Sequence, residues 1–386
     1  MTELRSFLDL SEVRMLLERA QPSGILTVYL DPESGYRHEA QRWQTQLNSG
    51  LTSLGQRYPD DRHLQQAIRT AAAEIGALPP EHRHRSLVYM RGLDPDWRWI
   101  RSLHGPVGTR FAWAPRPRIF PLLDFLHRFA TVGVILGSRR GLQARTWRQG
   151  LLEPGPEWPL SVDTDDWRRF LGGAVPHLEQ QRMTHVDSFM SRFIEQLKRA
   201  LAALSPTIQE TAAELGWQHL MVFGPQRLRD YLLGALPAPW NERSIPVPDR
   251  HLARVGSKEV ADAVVETLTA WRDEQDDAAV TAVITAAAGG GPASAGVQEV
   301  LDLLAQDRVA RLYVAADLEL SGYRLPDGAL RLHVPRDRQQ DFAAEPDLVE
   351  AMAAAALRSG AGIVPVHGSA AGRLRQRGGV AAELRY

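Results

Sequence analysis

Two adjacent glycines, Gly172-Gly173, open the segment of this chain best suited to chemistry. A glycine pair frees the backbone to take positive φ and lets a partner approach with no Cβ in the way. The segment continues Ala174-Val175-Pro176-His177 and then Glu179-Gln180-Gln181-Arg182. Beyond it, Met183, Val186, Phe189, Met190, Phe193, Ile194, Leu197, Leu201 and Leu204 recur at three and four residues. That spacing predicts a long amphipathic helix. Its polar face carries Arg182, Arg192 and Arg199, which could lie along a phosphate backbone. On pattern alone the glycines are a turn after Trp167 and the arginines a solvated face.

Two further arginine groups invite the same question. Arg139, Arg140 and Arg145 sit in and beside a hairpin tip, and Arg373, Arg375 and Arg377 alternate in a loop before the last strand. Other constellations fail on spacing. Gly137-Ser138-Arg139-Arg140-Gly141 places its serine wrongly for a nucleophile elbow, as does Gly368-Ser369-Ala370-Ala371-Gly372. Asp163-Thr164-Asp165-Asp166 lacks a calcium-loop pattern and reads as an acidic helix cap. His82 and His84 have no third ligand nearby, so no metal is expected. No phosphate-loop motif occurs, so no nucleotide or other cofactor is expected.

The elements that must position these residues belong to a chain of 386 residues, long enough for two or three domains. Hydrophobic residues at 44% and charged residues at 24% are ordinary globular values. A net charge of −1 gives no overall basic field, so an RNA-binding surface would have to be a local patch. Lys198 and Lys258 are the only lysines, a skew that high-GC coding also produces. The absence of cysteine excludes disulfides and thiolate chemistry. No signal peptide or membrane span is visible, and the expected location is the cytoplasm.

Periodicity divides the chain into three α/β segments. Residues 1–117 read as helix Leu10–Ala20, strand Gly24–Leu30, helices His38–Arg57 and Asp61–Gly76, and strands Ser86–Arg91 and Trp97–Leu103. The run Trp113–Arg118 reads as a boundary. Residues 118–249 begin with a hairpin, Thr131–Leu136 and Leu142–Trp147. They continue through the long helix to strand His219–Phe223, helix Arg227–Leu233 and a proline-rich run from Leu236 to Asp249. Residues 250–386 read as helix Ser257–Arg272 with Ser257 as N-cap, a loop at Gly289–Pro292, and helix Val297–Leu304. Strand Arg311–Ala315, helix Pro346–Ser359, strand Gly362–Val366, a glycine-rich loop and strand Val380–Tyr386 follow. This alternation implies a compact α/β/α sandwich.

The order of these segments resembles the bacterial branch of the archaeo-eukaryotic-type peptide release factor and Pelota-like superfamily. The resemblance is carried by three stretches: the hairpin, loop and helix of Thr131–Leu204; Gly296–Leu301 through Arg308–Val314; and Gly362–Val366 through Gly378–Tyr386. It implies an RNase H-like central domain and a third domain similar to kink-turn-binding ribosomal proteins. Releasing members carry a Gly-Gly-Gln tip that promotes peptidyl-tRNA hydrolysis in the ribosome, and related members without it occupy the ribosomal A site.

This chain departs from that pattern, because Ala174 stands where glutamine would follow Gly172-Gly173. Ala174 keeps a backbone N–H that could stabilise charge but has no amide to orient water. Gln180 or Gln181 could serve instead, since some relatives place the glutamine further along the loop. The expectation is therefore a ribosome-associated factor that mimics tRNA in the A site, in hibernation, surveillance or rescue, without efficient peptide release. It would contact rRNA through the three arginine groups, and a translational GTPase is a further expected partner. Neither membrane nor DNA is expected as a partner. The alternative is a peptidyl-tRNA hydrolase that rescues stalled ribosomes, with Gly172, Gly173, Gln180 and Gln181 as its catalytic loop.

Overall fold

The computed structural model describes residues 7–31, 39–79, 85–138, 141–160, 180–250, 252–335 and 340–386. Its internal contacts divide the chain into two units, one made of residues 1–129 and 272–386 and the other of residues 130–271. It is a mixed α/β protein with several sheets.

The first part of the first unit runs α1 (Leu10–Leu17), β1 (Ile25–Leu30), α2 (Glu39–Arg57), α3 (Arg62–Gly76), β2 (Ser86–Leu93), β3 (Asp96–Leu103), β4 (Arg110–Ala114) and α4 (Phe120–Arg128). The strands form an antiparallel sheet ordered β3-β2-β1-β4. Alternating side chains of β1 go to opposite faces, as the pleat requires. Leu26, Val28 and Leu30 join Leu47, Leu51, Leu64 and Ala67 under α2 and α3. Tyr29 joins Val13, Leu16, Leu122 and Phe125 on the other face. Asp9 and Asp61 cap α1 and α3, accepting from the amides of Glu12 and Leu64. The run read as a boundary instead closes β4 with Trp113 and Ala114 and then leads to α4, two elements that periodicity did not show. Both are short, and β4 has no fully buried residue to give an apolar signal.

The same unit is completed by β9 (Ala293–Ala295), α9 (Val297–Ala305), β10 (Val309–Ala315), β11 (Gly322–Arg324), β12 (Leu330–Arg331), β13 (Ala343–Glu345), α10 (Leu348–Arg358), β14 (Gly362–Val366), α11 (Gly368–Arg375) and β15 (Val380–Leu384). The main sheet is ordered β14-β10-β15-β9, with β10 and β14 parallel. Its two faces are both covered. Leu312, Val314 and Val380 pack with Val300 and Leu301 of α9 and Met352 of α10. Tyr313, Ala315 and Ala381 pack with Ala371 and Leu374 of α11. This is a three-layer α/β/α arrangement. The expected glycine-rich loop after β14 is in part the helix α11, because Ala370, Ala371 and Leu374 supply a short apolar face that glycine content concealed.

The second unit holds β5 (Val132–Ser138), β6 (Gly141–Arg148), β7 (Leu151–Pro159), α5 (Gln180–Glu214), β8 (His219–Phe223), α6 (Gln226–Ala235), α7 (Ala238–Glu242) and the first half of α8 (Ser257–Ala288). The sheet order is β7-β6-β5-β8, antiparallel except that β8 runs parallel to β5. The hairpin is as expected. β7 is not, since Pro154, Pro156 and Pro159 argue against a strand; it is tolerated because it lies at the sheet edge.

Helix α5 outruns its expected end at Leu204, passing Pro206 to Glu214, because Ile208 and Ala212 extend its buried face. That burial offsets the roughly 3 kcal/mol that an interior proline costs. Helix α8 likewise continues from Arg272 to Ala288, with Val280 and Val283 buried. Ser257 is its first helical residue, and the amide of Gly256 donates to Glu259 at 2.9 Å.

Trp217 anchors this unit. Its ring lies where a Cβ on Gly133 would sit, at 2.1 Å, so only glycine fits in β5 there. Its indole N–H donates to Thr146 Oγ1 at 2.9 Å within the core. Thr146→Val keeps the shape and removes the acceptor. Leaving that N–H unpaired destabilises the fold by about 1–3 kcal/mol, measurable as a lower urea midpoint at an unchanged denaturant slope.

Candidate functional site

Helix α5 is the element that would present the glycine loop, and its burial pattern fixes which side faces outward. Phe193, Leu197, Leu201, Ile208 and Ala212 are buried in the core beneath it, among Leu160, Trp217, Leu220 and Leu228. A stride of about four residues leaves Glu195, Gln196, Lys198 and Arg199 exposed on the far side. Lys198 Nζ lies 3.2 Å from Glu195 and 5.3 Å from the centre of the Tyr231 ring on α6. Arg199 has no ion-pair partner among the described residues.

Gly172, Gly173 and Ala174 lie outside the described residues, as do Arg139 and Arg140, Asp163–Asp166, and His82 and His84. Gln180 is the first residue of α5, Gln181 and Arg182 follow in its first turn, and Arg192 lies on the same helix. The side chains of these four are outside the described set.

The remaining arginines separate into two kinds. Arg145 sits mid-strand in β6, half-buried, between Val134 and Pro154 in register, and its Nη1 donates to the Ala144 carbonyl at 3.0 Å. Arg373 is engaged with α8, 2.6 Å from Thr281 Oγ1 and 3.0 Å from Asp277. Arg375 pairs with Asp317, and its hydrogen bond holds that carboxyl below the ordinary range. Arg377 is exposed at the end of α11 and rims a cavity of about 180 Å³ lined by Ile284, Ala287 and Ala293. The expected loop arginines are therefore partly structural: two fasten α11 to its neighbours and one is left to solvent.

No group of three or more His, Asp or Glu side chains that could hold a metal occurs among the described residues. Two imidazole–carboxylate pairs do occur. His127 Nε2 lies 3.1 Å from Asp276 Oδ1, and His367 Nε2 lies 2.7 Å from Asp124 Oδ1. Ser369, two residues after His367 in the chain, donates to Asp277 and not to an imidazole. Ser369 and His367 therefore form no nucleophile–base pair. The polar link that sequence reasoning missed is Glu350, whose signal was legible: Asp347-Leu348-Val349-Glu350 has capping-box spacing.

Arg199→Glu is expected to leave stability within about 0.5 kcal/mol. If this face meets a phosphate backbone, the substitution lowers the salt slope of polyanion binding by about 1; an unchanged slope removes Arg199 from that surface.

Residues 117–269 match the profile of bacterial archaeo-eukaryotic release factor family 10. No curated protein matches the chain. Among solved structures, an archaeal translation termination factor, aRF1, aligns over the whole of both chains at 17% identity with a TM-score of 0.26. Ribosome-bound archaeal Pelota, solved with ABCE1, aligns over 99% of this chain and 95% of its own, at 12% identity and a TM-score of 0.40. Dom34 of S. cerevisiae aligns over 98% and 92%, at 8% identity and a TM-score of 0.39.

Proposed function

We propose, from the match of residues 117–269 to the profile of bacterial archaeo-eukaryotic release factor family 10, that this chain is a ribosome-associated translation factor that enters the A site as a tRNA mimic. Its role on this reading is hibernation, surveillance or rescue, without efficient peptide release. One observation carries the last part: the glycine pair is followed by Ala174 and not by a glutamine. A backbone N–H remains there, but no carboxamide is present to orient water.

Three segments, 1–117, 118–249 and 250–386, form the proposed domains. The sheet order β7-β6-β5-β8, with three antiparallel strands and then a parallel one, supports an RNase H-like reading of the middle segment. The outward face of α5 around Arg199, together with Arg377, is the proposed rRNA-contacting surface. Arg139, Arg140, Arg145, Arg182 and Arg192 are proposed to extend it. Arg373 and Arg375 contribute through the exposed parts of their side chains, which are 47% and 46% accessible. A translational GTPase is the proposed second partner, and the cytoplasm the proposed location. No described helix is long and apolar enough to cross a membrane.

Sedimentation of the purified protein with ribosomes at low salt is the direct test, and failure to pellet with any ribosomal state ends this reading. In a release assay on ribosomes carrying peptidyl-tRNA, the wild-type protein should free little peptide and Ala174→Gln should free more. The second reading, a peptidyl-tRNA hydrolase, draws on the placement of Gln180 and Gln181 at the very start of α5, adjoining the loop. Efficient wild-type release that Gln180→Ala with Gln181→Ala abolishes would establish it.

A further inference from the structure

Helix α4 begins without a cap of its own, since Ile119 at its N-cap position offers no side-chain acceptor. The acceptor comes from α10, more than two hundred residues away in the chain. The Ile119 amide donates to Glu350 Oε1 at 2.6 Å, and the Phe120 amide donates to Glu350 Oε2 at 3.1 Å. Asp347 Oδ1 accepts from the Glu350 amide at 3.0 Å, and in an ordinary capping box the Glu350 carboxylate would in turn accept from the Asp347 amide. Here the acidic half of the box serves a different helix. Two more contacts hold α4 to the distal part of the same unit: Asp124 to His367, and His127 to Asp276.

We infer that α4 is a pH-sensitive clasp, in which the charge on Glu350 sets how tightly the first and last segments of this unit are joined. The inference does not depend on the ribosomal reading. Glu350 is 6% exposed and shut away from water. Burial pushes its carboxyl up to about 7, against the pull of the Ile119 amide and of Arg118.

The other charged groups around α4 are few. Arg118 pairs with Asp347 at 3.2 Å. Tyr29 from β1 donates to the Arg118 carbonyl, and its phenol is raised by burial and by Glu350. Glu12 of α1 is paired with Arg101, Arg128 lies over the Phe129 ring, and Arg272 stands near Asp276.

The sign follows from linkage. A carboxyl raised in the folded state favours folding fully below its unfolded value of 4.5, and that contribution is lost as pH rises through about 7. The clasp therefore tightens on acidification and loosens towards pH 8. If opening exposes Glu350 to water, the opening equilibrium grows roughly 70-fold between pH 5 and pH 8.

Hydrogen exchange of the α4 amides in the full chain, corrected for intrinsic exchange chemistry, reads this directly. Protection of residues 119–128 should fall with rising pH in the wild type and stay level in Glu350→Gln, whose carboxamide oxygen still accepts. The paired variant His127→Gln with His367→Gln should retain the dependence; if it abolishes it, the imidazoles are the sensor and the inference is wrong. Should Glu350→Gln fail to fold, a carbon-13 titration of the Glu350 carboxyl in the wild type decides. A midpoint near 7 supports the clasp, and one between 4 and 5 overturns it.

Discussion

A buried carboxylate on two backbone amides joins the beginning and end of this chain. Glu350 reaches Ile119 and Phe120 from α10, and around that contact Val13, Tyr29, Leu122 and Phe125 share one core with Leu312, Met352 and Val380. Isolated, the first turn of α4 would leave its amides without an acceptor, and Glu350 would lack the two donors that it meets here. Each solves the other's problem. The central segment, residues 130–271, is an insertion between the two halves of this unit.

The sequence was most readable where one periodicity ran long enough. The hairpin of β5 and β6 and helices α2 and α3 fall where the sequence pattern places them, and the three- and four-residue stride of α5 is reproduced by its burial. Reading failed where a local rule was overruled from a distance. Proline-rich β7 pairs because β6 offers it an edge, and α5 passes Pro206 because Ile208 and Ala212 still have a core beneath them. Helix α11 hides among glycines, and α4 is nine residues whose cap is a residue the chain reaches much later.

The candidate site was less legible than the fold, for an electrostatic reason. Spacing shows that arginines cluster but not whether acids already hold them. Arg373 and Arg375 looked like a basic loop, yet Asp277, Thr281 and Asp317 engage both. Arg199 and Lys198 are neighbours in sequence, yet Lys198 is tied to Glu195 and faces Tyr231 while Arg199 is not paired among the described residues. Partners such as Asp277 and Asp317 come from elements remote in sequence, so only the assembled fold separates committed cations from available ones.

The prolines of β7 have an effect beyond being tolerated. A strand at a sheet edge normally offers spare backbone donors to any extended peptide, including the same strand of a neighbouring molecule. Pro154, Pro156 and Pro159 remove three amide hydrogens from its nine positions, and the irregular register opposite Gln143 and Arg145 breaks its line further. What interrupts the sequence signal of a strand thus makes this edge a poor template for growth, and it helps keep a hairpin-built sheet from extending into its neighbours.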